Sequence, residues 1–293
     1  MKKHSSMHKK ESILITGAGG FIGSHLLDYL KNNYTVFCVD SKPVRCVGCR
    51  SITFDLRNRK RVCSYFRRFK KKNTIRVIVH LASRVISVKN ARDMDIFYDN
   101  IKITEGVVEI AKILKPEKII HFSSIAVYPN KTGRYSEASL THPAQNSDCL
   151  YGLSKLCSEN IFDFLLRDEK IKITHLRAAQ VYGKGMRNDR IIPIMLKELE
   201  KRKAITVFGN GERTISFIEV KKLILLIHFF IVHDAIGVIN VGNEHLSLLT
   251  LARRLIKQYG NKQSKIIKKP QGSREKFYLV IKKLNRLLAD FKK

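Results

Sequence analysis

No run in this 293-residue chain is apolar and long enough to span a membrane. The nearest approach, residues 223–232, is ten residues long and carries His228, against the roughly 20 apolar residues a spanning helix needs. It reads as a buried helix. A secretory leader is not expected either, since residues 1–10 are basic and polar and the apolar run 13–15 is too short to serve as its core. The expected compartment is therefore the cytoplasm, where Cys38, Cys46, Cys49, Cys63, Cys149 and Cys157 stay reduced. Cys46 and Cys49 have the spacing of half a zinc site, but no second pair stands at ligand spacing. They read as loop thiols, and no metal is expected.

Acidic residues are scarce. Lys and Arg total 56 and Asp and Glu 25, a net charge of +31. Such a charge attracts polyanions, yet charge alone specifies no partner. No RNP, zinc-finger or helix-turn-helix signature accompanies it. The excess reads as a compositional bias spread over solvated faces, densest at 57–72, at 262–269 and at the C-terminus. Neither nucleic acid nor membrane is an expected partner. Internal repeats and low-complexity blocks are also absent.

What is present is an alternation of short apolar runs with amphipathic stretches, the pattern of βαβ units and a parallel sheet. Expected strands are 12–16, 35–40, 77–80, 119–123, 173–177 and 238–241. Expected helices are 21–32, 96–114 and 149–167. After Gly183 the pattern loosens into a helix at 191–202, a strand at 204–208, a turn at Gly209-Asn210-Gly211 and a helix at 248–259. The fold class is α/β: a Rossmann-type, doubly wound parallel sheet with a smaller C-terminal substrate-binding domain. The expected division assigns 1–182 and 216–242 to the dinucleotide-binding domain, and 183–215 and 243–293 to the substrate domain.

The chemistry begins where strand 12–16 runs into Gly17-Ala18-Gly19-Gly20-Phe21-Ile22-Gly23. Glycines at 17, 20 and 23 let backbone N–H groups approach a pyrophosphate, and the helix that follows favours its negative charge. Asp40 ends the second strand, 17 residues beyond Gly23. A carboxylate there accepts from the ribose hydroxyls and repels a 2′-phosphate, which points to NAD over NADP. Tyr151 and Lys155 lie four apart, on one helical face. An ammonium one turn away lowers a phenol's pKa and suits Tyr151 to proton transfer. Ser124, at a strand end, is placed to bond the reacting oxygen. His80 reads as a packed structural histidine, and Leu81, Ala82 and Ser83 follow it where parallel sheets place their ligands.

Taken together, these residues resemble the extended short-chain dehydrogenase/reductases, and within them the NAD-dependent epimerase/dehydratase family, over about residues 12–288. The resemblance rests on the order and spacing of Thr16–Gly23, Asp40, Asp55-Leu56, His80–Ser83, Asn100, Ser123–Tyr128, Tyr151–Lys155 and Leu176-Arg177 with Val181-Tyr182-Gly183. It implies NAD as cofactor, with Gly17, Gly20, Phe21, Ile22, Gly23, Asp40, Asp55, Leu56, Leu81, Ala82, Ser83, Asn100, Ser123, Tyr151 and Lys155 around it. Asp55 and Leu56 would bracket the adenine, and Asn100 would be a structural residue of its helix. Ser124, Tyr151 and Lys155 would form the catalytic set. Arg84, Ser124, Gln180 and Arg213 are the implied contacts to a nucleotide-sugar substrate. A homodimer built on helices 96–114 and 149–167 is also implied.

The chain departs from that pattern in informative places. Dehydrating and decarboxylating members commonly carry an acid within two positions of the catalytic hydroxyl, where this chain has Ile125 and Ala126. Neither transfers protons. Many relatives have Arg-Asp at the positions of Ile215 and Ser216, the arginine contacting the diphosphate; here Arg213 is the candidate replacement. The expected activity is NAD-dependent epimerisation of a nucleotide sugar, by transient hydride transfer through a keto-sugar intermediate. The alternatives are an NAD(P)H-dependent keto-sugar reductase and a non-catalytic dinucleotide-binding protein with a basic interaction surface.

Overall fold

The computed structural model describes residues 10–87 and 90–291. In its first half, β1 (Ser12–Thr16), α1 (Phe21–Leu30), β2 (Thr35–Asp40), β3 (Arg50–Thr53), α2 (Arg59–Lys70), β4 (Val77–His80), α3 (Met94–Leu114), β5 (Lys118–Ser124), β6 (Gly133–Tyr135) and α4 (Cys149–Leu165) follow in order. The second half holds β7 (Lys172–Ala178), β8 (Gln180–Tyr182), α5 (Ile191–Arg202), β9 (Ala204–Phe208), β10 (Thr214–Glu219), α6 (Val220–Val232), β11 (Gly237–Val241), β12 (Glu244–Ser247), α7 (Leu248–Tyr259), β13 (Lys265–Lys269), β14 (Phe277–Leu279) and α8 (Lys282–Asp290).

Seven strands form one sheet in the order β3-β2-β1-β4-β5-β7-β11, every pair parallel. Its order reverses between β1 and β4, and a crevice opens there beyond the strands' carboxyl ends. Alternation within β1 shows why both faces are covered. Ile13 and Ile15 pack with Leu26 and Leu30 of α1 and with Leu223 and Ile227 of α6. Leu14 joins Val62 and Phe66 of α2, Val107 and Ile110 of α3 and Phe162 of α4 on the other face.

Three elements of this half, α2, β3 and the three-residue β6, departed from expectation. Half of α2 is Lys or Arg, which hid its helix in a charge run, yet Val62 and Phe66, four apart, are fully buried. The edge strand β3 buries only Ile52. Residues 223–232 do belong to a helix, α6, with one buried face. Among the described residues no helix is long and apolar enough to cross a membrane.

The last third builds small sheets, β12-β10-β8 and β13-β9. With α5 and α7 they enclose a separate core that includes Met195, Leu199, Ile205, Leu251 and Leu255. β14 then pairs with β6, and α8 packs beside β11 of the large sheet.

Candidate active site

A cleft of about 1050 Å³ lies at the carboxyl ends of β1, β4 and β5 and reaches the small lobe through Gln180, Arg190 and Arg213. At its floor the chain turns at Gly17, whose φ is +71°. A Cβ there would sit 2.6 Å from the Ala82 amide nitrogen. Only glycine lets the β1 turn and the end of β4 come this close. α1 follows its N-cap Gly20 with no side-chain cap and no acid in its first turn. Its first N–H groups therefore lack intrahelical partners and can receive an anion. Gly20, Phe21, Ile22 and Gly23 all line the cleft.

Asp40 lies at the rim, where Oδ2 accepts from Gly19 N–H (2.9 Å) and Oδ1 from Lys42 N–H (3.1 Å). These bonds hold the carboxylate in place while each oxygen keeps capacity for a hydroxyl. Leu56 lines the same end. The Asp55 carboxylate is engaged by Arg57, with Arg57 Nε 3.0 Å from Oδ1 and Nη2 2.9 Å from Oδ2. That pairing holds the Asp55 carboxyl below its usual range.

Leu81, Ala82, Ser83 and Arg84 form one wall. Asn100, grouped with the cofactor contacts on sequence grounds, does not line the cleft. It is buried behind the wall, where Oδ1 accepts from Ser83 Oγ (3.1 Å) and Arg84 N–H (2.7 Å) and Nδ2 donates to Arg84 O (3.1 Å) and Ser154 Oγ (3.0 Å). Its amide braces the loop, the structural part that the resemblance also implied. His80 is likewise internal: Nδ1 is 2.7 Å from Thr16 Oγ1 and its ring stacks on His121. Burial pushes its pKa well down, with Lys155 adding to the effect.

Ser124 ends β5 and caps a short turn, Ile125–Val127, by accepting from Ala126 N–H at 3.1 Å. Tyr151 reaches the cleft from the first turn of α4. Lys155 stands behind it, buried, with Nζ 5.7 Å from the Tyr151 ring centroid, and does not itself line the cleft. Burial pushes Lys155 down to about 8, against the pull of Glu159. Sequence spacing alone predicted a depressed Tyr151. Within the protein the opposite holds: burial, reinforced by Asp148, pushes the phenol up to about 12, while Arg190 and the Ser83 hydroxyl pull the other way.

Ser123 lines the cleft, but its hydroxyl donates to Glu159 Oε1 at 2.5 Å. Glu159 in turn takes two bonds from Arg177 (3.0 and 2.7 Å), and Arg177 donates to the Tyr128 hydroxyl at 3.0 Å. This buried ion pair was missed in the sequence, although Glu159 continues the four-residue spacing of Tyr151 and Lys155.

At the far end, Arg213 and Ile215 both line the cleft. Residues two apart share a face along an extended chain, which sets Arg213 on the cleft side of the chain together with Ile215. Arg213 Nε is buried without a hydrogen-bond partner among the described residues. Ser216 faces elsewhere, 2.8 Å from His245 Nδ1, and accepts from Leu279 N–H at 3.1 Å. Asp148, Arg187 and Arg190 also line the cleft and were not foreseen. Nothing in their spacing singles them out. Among the described residues no cluster of His, Cys, Asp and Glu is arranged to hold a metal ion.

The cradle, the poised Asp40 and the Tyr151–Lys155 pair fit a dinucleotide extended across the sheet's switch point. The sequence profile of the NAD dependent epimerase/dehydratase family matches residues 13–242. A putative UDP-glucose 4-epimerase of Methanocaldococcus jannaschii is 28% identical over 293 aligned positions, covering 94% of this chain and 92% of that protein. A dTDP-D-glucose 4,6-dehydratase of Dictyostelium discoideum is 26% identical over 84% of this chain, which spans only 62% of that protein's length. Among solved structures, the UDP-glucuronic acid 4-epimerase of Bacillus cereus in complex with NAD superposes with a TM-score of 0.77 at 29% identity, covering 95% of this chain and 90% of that one. A UDP-N-acetylglucosamine 4-epimerase of Methanobrevibacter ruminantium shares the fold, with a TM-score of 0.81 at 20% identity and coverage of 95% and 92%. With more than half of its length matched by the family profile and the dinucleotide cradle in place, the chain belongs to the NAD-dependent epimerase/dehydratase family.

Proposed function

We propose that the protein is an NAD-dependent epimerase of a nucleotide-linked sugar, acting at a ring hydroxyl through a transient keto sugar. The observation that carries this reading is the convergence of Ser124 and Tyr151 on one cleft, beside positions 125 and 126 that hold no acid or base. The glycine turn and the start of α1 hold the cofactor's pyrophosphate, and Asp40 holds its adenosine ribose. When bound, NAD supplies a hydride acceptor and a positive charge on its nicotinamide ring. Tyr151 takes the proton of the sugar hydroxyl, and Ser124 holds the oxygen that becomes a carbonyl. Lys155 and the cofactor's charge together oppose the burial that keeps the phenol protonated. Once the keto sugar has turned over in the cleft, Tyr151 returns the proton. Arg213, with its unpartnered Nε, meets the diphosphate, and Gln180 and Arg84 flank the substrate.

The same reading makes the protein a homodimer through α3 and α4, whose exposed Tyr98, Phe164 and Leu165 support such a contact. The test of function is incubation of the NAD-loaded protein with UDP-, dTDP- and GDP-sugars and identification of products. Interconversion of two hydroxyl epimers is expected. Inertness towards every sugar nucleotide, with NAD bound, contradicts the assignment.

A further inference from the structure

Residues 184–190 join β8 to α5 and fold into two turns, with Met186 N–H donating to Gly183 O at 3.2 Å and Arg190 N–H to Arg187 O at 3.3 Å. Both flanking elements belong to the small lobe. The segment itself is bonded to the dinucleotide domain, on both sides of the cleft. On the α1 side His25 Nε2–H donates to Lys184 O at 2.8 Å, one turn beyond Phe21 at the head of α1. On the β4 side Arg187 Nη1 donates to Val85 O at 3.4 Å and Arg190 Nη2 to Ile86 O at 3.1 Å. Met186, Arg187, Asp189 and Arg190 line the cleft between these anchors, while Lys184, Gly185 and Asn188 are exposed. The segment therefore roofs the cleft, with solvent on its outer side.

Asp189 ties the two β4-side anchors together. Its Oδ1 accepts from Arg187 Nε at 3.1 Å and its Oδ2 from Arg187 Nη2 at 2.5 Å, and Arg190 Nε lies 3.8 Å from Oδ1. A two-point bond of the kind made to Arg187 fixes the plane of a guanidinium. The arginine N–H groups left over are the ones that reach residues 85 and 86. Without the carboxylate, Arg187 regains rotamer freedom, and its long 3.4 Å bond to Val85 O is too weak to hold it alone. These anchors are few and partly exposed, the condition in which a segment opens locally without unfolding its domain.

We propose that residues 184–190 form a strap that must open for NAD to enter or leave, and that Asp189 is the positioning residue that pins it closed. A dinucleotide running from the start of α1 past the wall at Leu81–Arg84 lies beneath the strap over that stretch. A gate of this kind stands on the way in and on the way out, so loosening it speeds both. Residues that only touch bound NAD act differently: their loss speeds release and leaves entry unchanged. A cofactor that takes a hydride and gives it back gains nothing by leaving between turnovers. The strap thus suits the chemistry proposed above but does not depend on it.

NADH serves as the probe, since its own fluorescence reports binding. Displacement of bound NADH by excess NAD gives the release rate, equilibrium titration gives Kd, and their ratio gives the entry rate. In Asp189→Ala release is expected to be at least about tenfold faster, a decade corresponding to about 1.4 kcal/mol. Entry is expected to quicken with it, so that Kd changes by less than the release rate does. Adding His25→Phe, which loosens the opposite anchor, should speed both rates again. Unchanged release in Asp189→Ala overturns the proposal, and so does faster release with unchanged entry. Trypsin digestion of wild type gives a second reading that needs no substitution. NAD beneath the strap favours its closed form, so saturating NAD should slow cleavage after Lys184, Arg187 and Arg190 and spare cleavage after Lys262 and Lys265. Cleavage of the strap at the same rate with and without NAD overturns the proposal. A failure of the epimerase reading touches neither measurement.

Discussion

Gly152 presses its Cα against the carbonyl of Ala126: a Cβ at position 152 would lie 2.1 Å from that oxygen. This contact docks the first turn of α4 on the turn that follows Ser124, and so sets Tyr151 beside Ser124. In most exposed helical positions Gly→Ala stabilises by about 1 kcal/mol. Here the added methyl must move a backbone. Gly152→Ala is expected to lower thermal stability and to cut kcat by at least about tenfold, since misplacement by about 1 Å is enough for such losses. Urea unfolding and steady-state kinetics check it, and unchanged kcat contradicts the role given to this contact.

Asp40 is expected to set cofactor choice. Asp40→Ala removes both the ribose acceptor and the repulsion of a 2′-phosphate. NAD should bind more weakly and NADP more tightly in the variant, narrowing the preference for NAD. Fluorescence titration of both cofactors measures it. A wild type that binds NADP more tightly than NAD removes the argument from Asp40.

Lys155 carries a cost that its function explains. Its folded-state pKa of about 8 lies below the ordinary 10.5. Between these values the unfolded chain binds a proton that the folded chain has released, so stability rises with pH across that window. Below about 8 the fold bears the full penalty of a buried ammonium, up to about 3 kcal/mol at about 1.4 per pKa unit. Lys155→Met is expected to raise Tm at pH 7, to lose that advantage towards pH 10.5, and to lose NAD affinity and turnover at every pH. A variant less stable than wild type at pH 7 contradicts this.

Much of this was legible in the sequence, and the gaps have physical causes. β1, β2, β4, α5, β9 and α7 fall at the expected residues, because buried parallel strands read as unbroken apolar runs and α5 and α7 as periodic ones. α2 escaped because its surface is almost wholly basic and its burial rests on a few aromatic and aliphatic residues. The short strands of the small sheets escaped because three or four residues carry too little pattern to read. Tyr151, Lys155 and Ser124 were found by spacing along the chain. Asp148, Arg190 and Glu159 act through space, and what each one faces depends on the packing of α4 against β5 and β7.

Buried histidines give the fold an acid limit. His80, His121 and His175 stand side by side across β4, β5 and β7. Burial holds His80 and His121 well below the ordinary value of 6.5. The unfolded chain takes up these protons first as pH falls, so stability is intact above about 6.5 and declines below it. Tm measured from pH 7.5 to 5 should fall in the lower half of that range. A flat profile contradicts the neutral, buried state of His80 and His121.

The central claim is that a hydride leaves a sugar carbon and returns to the same carbon while Tyr151 carries the proton. The direct test supplies the nucleotide sugar deuterated at the reacting carbon, with NAD present in catalytic amount, and analyses the product by NMR. The account predicts an epimer with the label still on that carbon and no net formation of NADH. Tyr151→Phe should slow this conversion by about two to four orders of magnitude while still binding NAD. Loss of water or of carbon dioxide, stoichiometric consumption of cofactor, or wild-type turnover by Tyr151→Phe would contradict it.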